Sequence, residues 1–164
     1  MAHPYRSSPG GAVHALEPAT RRLPGDLDGM TFEVGRLILT DDGLYFIAGW
    51  QELRGRSRIA VLGVLFGAEV GALTTSASND PHVIAEGRRH LAELRGLPPE
   101  QQLARSSGSL HVPSDDIAAT ALGRFFAPLR VTTRRHGDLH TFELPRSARA
   151  AARTWISTRP RDQP

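Results

Sequence analysis

Two apolar runs on either side of a short acidic turn form the clearest local pattern in the chain. Residues 37–39 and 44–48 flank the tetrapeptide Thr40-Asp41-Asp42-Gly43. Asp favours the start of a tight turn, and Gly accepts a positive φ without a Cβ penalty. The pattern predicts a β-hairpin over residues 35–49, with Gly43 as its structural turn residue. Because the arms are apolar at nearly every position, we expect other parts of the protein to cover both of their faces.

The region before the hairpin lacks a comparable pattern. Residues 1–29 are rich in Pro, Gly, Ser and Arg and carry only scattered apolar side chains, which cannot offset the entropy of ordering. We therefore expect a mostly disordered N-terminal tail, with only a weak signal for a short strand near residues 12–16. Alternation from Thr31 to Val34 begins the first clear strand. A single domain is expected over residues 30–158, followed by a disordered tail at 159–164.

The most apolar window of the chain is residues 59–73, IAVLGVLFGAEVGAL. Gly63, Gly67 and Gly71 recur every four residues, so in a helix they would share one face and permit close approach of another backbone. A helix of this length rises about 22 Å, which is short of the roughly 30 Å hydrocarbon core of a bilayer. The window therefore predicts an apolar helix that does not span a membrane.

Helical patterns continue after this window. Asn79 or Asp80 before Pro81 is a typical helix start, and the apolar positions that follow predict a helix ending before Gly96. A short second helix is expected from Pro99. We interpret residues 50–109 as a helical insertion between the early and the late strands.

The pattern typical of strands resumes at Leu110. Strands are predicted at residues 110–113, 117–122, 125–134 and 139–144, the last two forming a hairpin around 135–138. Residues 146–158 then place alanines and Trp155 at helical spacing, with arginines on the other side. The predicted fold class is α+β: a small antiparallel half-open barrel capped by a C-terminal amphipathic helix.

Four sequence strings carry a resemblance to the pleckstrin-homology-like (PH-like) superfold, particularly its GRAM-type and bacterial branch. They are GRLILTDDGLYFI, HVPSDDIAATAL, LRVTTRRHGDLHTFEL and AARTWI. In that family, a late strand begins with a pattern like that of residues 114–117, and the closing helix carries a Trp like Trp155. The resemblance covers about residues 31–49 and 110–158. It implies a barrel of seven strands, of which the patterns supply six, and it implies binding of lipid head groups or of proteins.

The amino-acid composition favours some classes of partner and excludes some kinds of site. The net charge is +3, the chain has no Lys, and its twenty basic residues are all Arg, which favours phosphate-bearing or anionic partners. The absence of Cys excludes disulfides, thiolate metal sites and a Cys nucleophile. The N-terminal residues have no continuous apolar stretch of the kind that a secretory signal carries. We expect cytoplasmic residence, either free or at the inner face of the cell membrane.

Catalytic signatures are missing from the sequence. It contains no nucleophile elbow, no phosphate-binding glycine loop and no HExxH pair. Its seven His residues are scattered, and the adjacent Asp115 and Asp116 would point to opposite faces of a strand. We therefore expect no enzymatic activity, no metal and no cofactor.

One combination of charge and hydrophobicity suggests a function. Arg54, Arg56 and Arg58 immediately precede the apolar window, and a basic cluster beside an apolar helix suits an anionic membrane surface. We predict a non-enzymatic binding module that associates with anionic lipid through these three arginines. The residues expected to contact the membrane or a partner are Leu62, Gly63, Leu65, Phe66, Gly67, Val70 and Gly71.

Other interpretations of the same segment stay open. Residues 59–73 could instead pack inside the protein against the helix of residues 81–95, or their glycine face could bind a protein partner or a second copy of the chain. A further basic group could contact nucleic acid, but few aromatic side chains are available beside it for base stacking, so nucleic acid is not expected as a partner. Its members are Arg130, Arg134, Arg135, Arg149 and Arg153.

Overall fold

Seven strands and three α-helices make up the part of the chain that the computed structural model describes, namely residues 13–23, 31–53, 80–124 and 128–159. Short 3₁₀ turns lie at Ser114–Asp116 and Arg146–Ala148. In chain order the elements are β1 (His14–Arg22), β2 (Thr31–Thr40), β3 (Gly43–Leu53), α1 (Pro81–Leu94), α2 (Pro99–Arg105), β4 (Leu110–Pro113), β5 (Ile117–Leu122), β6 (Leu129–Thr133), β7 (Leu139–Glu143) and α3 (Arg149–Ser157).

All seven strands belong to one antiparallel sheet in the order β4-β3-β2-β1-β7-β6-β5. The two edge strands, β4 and β5, are consecutive in the chain and are joined by the 3₁₀ turn Ser114–Asp116. The sheet must therefore bend until its edges approach each other at this turn. Within the described ranges no ladder joins β4 to β5, so the sheet is not closed. The α+β class predicted from the sequence is confirmed.

The two faces of the sheet carry separate hydrophobic cores. The inner core includes Leu37, Leu39, Phe46 and Phe142, together with residues of α3. The outer core joins Ile38, Tyr45 and Ile47 of the sheet to Leu91 and Leu94 of α1. Each such side chain contributes about 1.5 to 3 kcal/mol when it is fully buried. The expectation that both faces of the first hairpin are covered is confirmed.

The turn of this hairpin forms where the sequence predicts it. Gly43 has a φ of +149°, in the region that side chains disfavour. A Cβ at this position would also collide with the Val112 carbonyl oxygen of β4. Thr40 closes the turn by donating its hydroxyl hydrogen to the Gly43 carbonyl at 3.2 Å. Gly43 is therefore required both for the turn and for the close approach of β4.

The N-terminal region departs from the sequence-based expectation. His14–Arg22 forms β1, so the prediction of a disordered tail over residues 1–29 is wrong for this stretch, and the count of six strands was one too low. β1 buries few apolar side chains, chiefly Leu16 and Ala19, which gives it a weak hydrophobic pattern. It is held by backbone pairing to β2 on one side and to β7 on the other. These are non-local interactions that a window of sequence does not display.

Two helices predicted in the insertion, α1 and α2, form as predicted and cover the outer face, whereas the apolar helix predicted at residues 59–73 lies outside the described residues. Asp80 caps α1 by accepting a hydrogen bond from the His82 backbone N–H at 2.8 Å, and Pro81 begins the helix. α2 begins at Pro99. The insertion starts later than residue 50, because β3 continues to Leu53 in a ladder with β2.

The C-terminal helix α3 lies against the inner core. Trp155 is 4% exposed, and its indole N–H donates to the Thr40 carbonyl at 2.8 Å. Ala152 and Ile156 are buried beside it. The amphipathic closing helix predicted from the sequence is therefore present. No helix of the described segments is long and apolar enough to cross a membrane.

Candidate functional site

All the contact residues predicted from the sequence lie outside the described part of the chain. This holds for Arg54, Arg56 and Arg58 and for all of residues 59–73, including Leu62, Gly63, Leu65, Phe66, Gly67, Val70 and Gly71. The two structural residues of the prediction, Gly43 and Trp155, are both described and buried.

A cleft of about 600 Å³ lies between β3 and α1 and is named here the β3–α1 cleft. Its walls are Glu33 of β2, residues 48–51 of β3, four residues of α1, and residues 105–108 at the end of α2. The α1 residues are Val83, Glu86, Gly87 and His90, which are spaced so that they share one helical face. The volume falls within the range of about 300 to 1,000 Å³ that is common for ligand pockets.

Two glycines set the distance between the walls of the cleft. A Cβ on Gly87 would lie 2.8 Å from both the Gly49 carbonyl oxygen and the Cε3 atom of Trp50. A Cβ on Gly49 would lie 2.8 Å from the Leu91 side chain. Only residues without side chains allow α1 and β3 to approach so closely. The Gly49–Gly87 contact therefore places the polar residues of α1 beside the end of the sheet.

The deepest polar group of the cleft is the carboxylate of Glu33, which is 4% exposed. Its Oε2 atom accepts from Arg21 Nε at 2.9 Å, and the two side chains form an ion pair. Arg21 also donates to the Gly108 carbonyl at 2.9 Å, and its guanidinium lies over the Phe46 ring with 5.0 Å to the centroid. A buried charge is stable only when it is paired, and Arg21 supplies that pairing.

The amide of Gln51 adjoins this ion pair. Its Nε2 donates to Glu33 Oε1 over 3.5 Å, which is long for a hydrogen bond. Its Oε1 atom is buried and has no hydrogen-bond partner. If the Gln51 amide were flipped, its oxygen would face Glu33 Oε1, which is also an acceptor. The amide atom without a partner is therefore the Gln51 oxygen. Among the described residues, this buried oxygen beside the cleft has no hydrogen-bond donor.

Charged groups of both signs line the rest of the cleft. Glu86 and Arg105 are exposed, and His90 is partly exposed. Glu86 lies 3.8 Å from Arg89, and both side chains are at least 70% exposed, so this pair contributes little to stability. With Arg21 neutralising Glu33, the positive and negative charges around the cleft balance.

A second polar group lies at the edge of the outer face, around His111 of β4. Its ring stacks on Tyr45 with centroids 4.1 Å apart and planes 10° apart. Tyr45 donates its hydroxyl hydrogen to Glu100 Oε1 at 2.9 Å, whereas the buried Nε2 atom of His111 has no hydrogen-bond partner among the described residues. Burial lowers the pKa of His111, and the nearby carboxylates of Glu100, Asp115 and Asp42 oppose this effect.

The sequence suggested that the two adjacent aspartates lie on a strand, but the structure places them outside any strand. Asp115 and Asp116 form the 3₁₀ turn between β4 and β5. Asp116 Oδ1 accepts from the Arg135 backbone N–H at 3.0 Å, and the Asp116 carbonyl accepts from the Arg134 N–H at 2.7 Å. These contacts attach the turn to the β6–β7 hairpin. The role of Asp116 is therefore structural.

The basic group considered for nucleic acid does not form one exposed surface. Arg149 is 6% exposed and donates to the Gly123 carbonyl. Arg134 donates from Nε to the Ile117 carbonyl at 3.1 Å. At least two of the five arginines thus donate to backbone carbonyls at the start of β5 and just beyond its end.

The sequence did not indicate the β3–α1 cleft. Glu33, Gln51, Gly87 and Arg105 come from four elements and meet only in the folded chain. The one local signal was the spacing of Val83, Glu86, Gly87 and His90 on a single helical face. Across the residues that are described, no group of three or more His, Cys, Asp or Glu side chains is arranged to hold a metal ion.

No protein family, curated protein or solved structure matches this chain.

Proposed function

We propose that this chain is a non-enzymatic PH-like binding module that associates peripherally with anionic membrane surfaces. Arg54, Arg56 and Arg58 attract the anionic lipid, and residues 59–73 contribute apolar contact. The fold assignment draws support from the seven-stranded antiparallel sheet, from its open edges at β4 and β5, and from the closing helix that buries Trp155. The proposal places the protein in the cytoplasm, at the inner face of the cell membrane.

The observation that carries this proposal is that described elements already cover both faces of the sheet. α3 covers the inner face, and α1 and α2 cover the outer face. Among the described residues, only Val13, Val83 and Leu139 are large hydrophobic side chains that remain exposed. We infer that the apolar side chains of residues 59–73 are available for contacts outside these two cores. This favours a partner outside the domain over internal packing.

Charge favours a membrane as that partner. Each Arg near an anionic bilayer contributes about 1 kcal/mol, so three contribute about 3 kcal/mol, or about a hundredfold in the partition coefficient. Residues 54–79 contain only one acidic residue, Glu69, to oppose them. Because β3 ends at Leu53, these arginines follow directly after a strand that is held on both faces.

Co-sedimentation with vesicles tests the proposal. We expect binding to vesicles that contain phosphatidylserine, weaker binding at 1 M salt, where the Debye length is about 3 Å, and no binding to phosphatidylcholine alone. The triple variant Arg54→Glu, Arg56→Glu, Arg58→Glu should lose binding. Equal binding to both kinds of vesicle, or no binding to either, would contradict the electrostatic mechanism.

A matched variant controls for net charge. Arg124, Arg130 and Arg153 are exposed, and reversing all three changes the net charge by the same amount. This control should retain most of the binding to anionic vesicles. If both triple variants lose binding equally, the attraction depends on overall charge and not on Arg54, Arg56 and Arg58.

The alternative proposal is a protein-interaction or self-assembly module that uses Gly63, Gly67 and Gly71. The four-residue spacing of these glycines is the observation that favours it. Light scattering on the purified chain should then show dimers or larger species that Gly67→Leu abolishes. A chain that stays monomeric when it is concentrated would contradict self-assembly.

A further inference from the structure

We propose that His140 makes the pairing of β1 with β7, named here the β1–β7 seam, sensitive to pH. Protonation of the imidazole parts these two strands while the rest of the sheet stays paired. The device is built into the sheet and does not involve the arginines of residues 54–58. Its basis is the position of His140 beside Arg21 on the inner face.

The register of the sheet places His140 diagonally across from Arg21. Arg21 of β1 is the Cα partner of Phe142 of β7, and His140 precedes Phe142 by two residues on the same strand. Residues two apart on a strand share a face, and diagonal neighbours are within reach of long side chains. Phe142 belongs to the inner core, and the Arg21 guanidinium lies over the inner-core Phe46 ring. Two basic side chains therefore share one small area of the inner face.

Contacts with β2 and with Gly108 hold Arg21 in place. Its side chain is 11% exposed, forms an ion pair with Glu33 of β2, and donates to the Gly108 carbonyl at 2.9 Å. Glu33 offsets part of the Arg21 charge, but β2 is one strand further from β7 than β1 is. An imidazolium at His140 would therefore meet a fixed like charge in a region that water screens poorly.

Two carboxylates near His140 act in the opposite direction. Asp138 lies between β6 and β7 and is exposed, so water screens its charge. Asp116 lies in the 3₁₀ turn, and its Oδ1 atom already accepts from the Arg135 backbone N–H at 3.0 Å. Burial and Arg21 lower the pKa of His140 from the ordinary 6.5, and their combined effect outweighs that of the two carboxylates. The folded state therefore favours the neutral ring.

The β1–β7 seam is the shorter of the two pairings that β1 makes. It consists of two residue pairs, Thr20 with Glu143 and Arg21 with Phe142. The ladder ends at the second pair, which is the one beside His140. By contrast, β1 pairs with β2 at seven positions, on both sides of a bulge. Repulsion between His140 and Arg21 would therefore separate β1 from β7 before it separates β1 from β2.

The pH range of the opening follows from the direction of the pKa shift. The stabilising contribution of neutral His140 is complete above the unfolded pKa, and it is lost as pH falls through 6.5 towards the folded pKa. We therefore expect the β1–β7 seam to be closed at about pH 7.5 and to open increasingly between about pH 6 and about pH 5. An NMR titration that gives the His140 ring a pKa at or above 6.5 would overturn this expectation.

Hydrogen exchange of the ¹⁵N-labelled full-length chain tests the proposal, since protection factors correct for the intrinsic effect of pH on exchange. We expect protection to fall at least about threefold from about pH 7.5 to about pH 5 at the protected amides of the β1–β7 seam. These belong to Thr20, Arg21, Phe142 and Glu143. Amides of the β2–β3 ladder should change less. Unchanged protection in the seam, or an equal fall throughout the sheet, would overturn the proposal.

Variants assign the effect to His140. His140→Gln has no titrating ring, so protection in the β1–β7 seam should not fall at acid pH. His140→Lys carries a permanent charge and should show low protection already at about pH 7.5. His136→Gln, in the exposed turn of the same hairpin, is the matched control and should behave like the wild type. His111 is present in all of these chains, so its effect cancels. A fall in His140→Gln equal to that of the wild type would contradict the proposal, even if His140→Lys failed to fold.

Discussion

Arg36 is a fully charged residue in the middle of a buried strand. It is 2% exposed and lies on the outer face of β2. Its guanidinium donates to Glu17 Oε2 at 2.9 Å, to Gln102 Oε1 at 2.7 Å and to the Leu91 carbonyl at 2.6 Å. One side chain therefore connects β2 to β1, α1 and α2. It acts as a polar anchor for the insertion within an otherwise apolar interface.

Replacing Arg36 should lower the free energy of unfolding far more than replacing the exposed Arg95, which shares its partner Glu17. Arg36→Met leaves Gln102 and the Leu91 carbonyl without a donor and should lower the free energy of unfolding by about 3 to 5 kcal/mol. Arg95 also contacts Glu17, at 3.4 Å, but is 69% exposed, so Arg95→Met should cost less than about 1 kcal/mol. Urea denaturation measures both. A loss below about 1 kcal/mol for Arg36→Met would show that the buried contacts are not stabilising.

His111 should make stability depend on pH. Burial lowers its pKa from the ordinary 6.5, although Glu100 of α2, Asp115 of the 3₁₀ turn and Asp42 of the hairpin turn act in the opposite direction. The folded state then prefers the neutral ring that stacks on Tyr45. The stabilising contribution is complete above the unfolded pKa and is lost as pH falls below about 6.5 towards the folded value.

The corresponding measurement compares the wild type with His111→Phe, which keeps an aromatic ring against Tyr45. The difference in unfolding free energy between the two should change as pH falls from about 7 to 5, with the wild type losing more. His140 shifts in the same direction through burial, but it is present in both proteins and cancels. An NMR titration that gives His111 a pKa at or above the ordinary value would contradict this explanation.

At the scale of elements, the contact between α1 and β3 depends on the absence of a side chain at Gly87. Gly87→Ala would raise helix propensity by up to about 1 kcal/mol, but its Cβ would press on the Gly49 backbone. Overpacking against backbone costs about 1 to 3 kcal/mol, so we expect net destabilisation in thermal or urea unfolding.

Gly96 provides the matched control for this substitution. A Cβ there meets no atom within 4 Å, so Gly96→Ala should be neutral or slightly stabilising. If Gly87→Ala proved as harmless as Gly96→Ala, the close approach of α1 to β3 would not be required.

The closing helix α3 depends on Trp155 in a similar way. Trp155→Ala removes a buried indole and its hydrogen bond to Thr40, and should lower the unfolding free energy by about 3 to 5 kcal/mol. Trp155→Phe keeps an aromatic ring and should cost less. A loss below about 1 kcal/mol for the alanine variant would argue that α3 does not close the inner core.

Elements with a strong local pattern could be predicted from the sequence. The hairpin at Gly43 and the helix start at Asp80 each combine a turn or cap residue with regular apolar spacing, and the closing helix with Trp155 shows regular apolar spacing alone. β1 could not be predicted, since its pairing partners are distant along the chain. Arg36 was also missed, because its partners lie 19, 55 and 66 residues away. The β3–α1 cleft was missed for the same reason, because its walls come from elements that are distant along the chain.

At the scale of the whole molecule, the described elements form a hydrophobic core on each face of the sheet, and the proposed function assigns residues 59–73 to contacts outside these cores. Replacing this segment with a Gly/Ser linker of equal length keeps the length of the connecting loop and hence most of its closure entropy. We expect the free energy of unfolding to change by less than about 1 kcal/mol, and binding to anionic vesicles to fall. Losing several kcal/mol would instead show that residues 59–73 pack inside the protein.

The position of β1 between β2 and β7 has a consequence for how the chain assembles. Strands β1–β4 form one set of neighbours and β5–β7 another, and the two sets meet along a seam of two residue pairs, Thr20 with Glu143 and Arg21 with Phe142. Within the sets, β1–β2, β2–β3, β5–β6 and β6–β7 pair strands that are consecutive in the chain, whereas β3 and β4 pair across residues 54–109 and the seam joins the beginning of the described chain to its end. Closing such a distant contact has a high entropic cost, so it belongs late in folding. The seam is thus the natural line along which the two halves would part first.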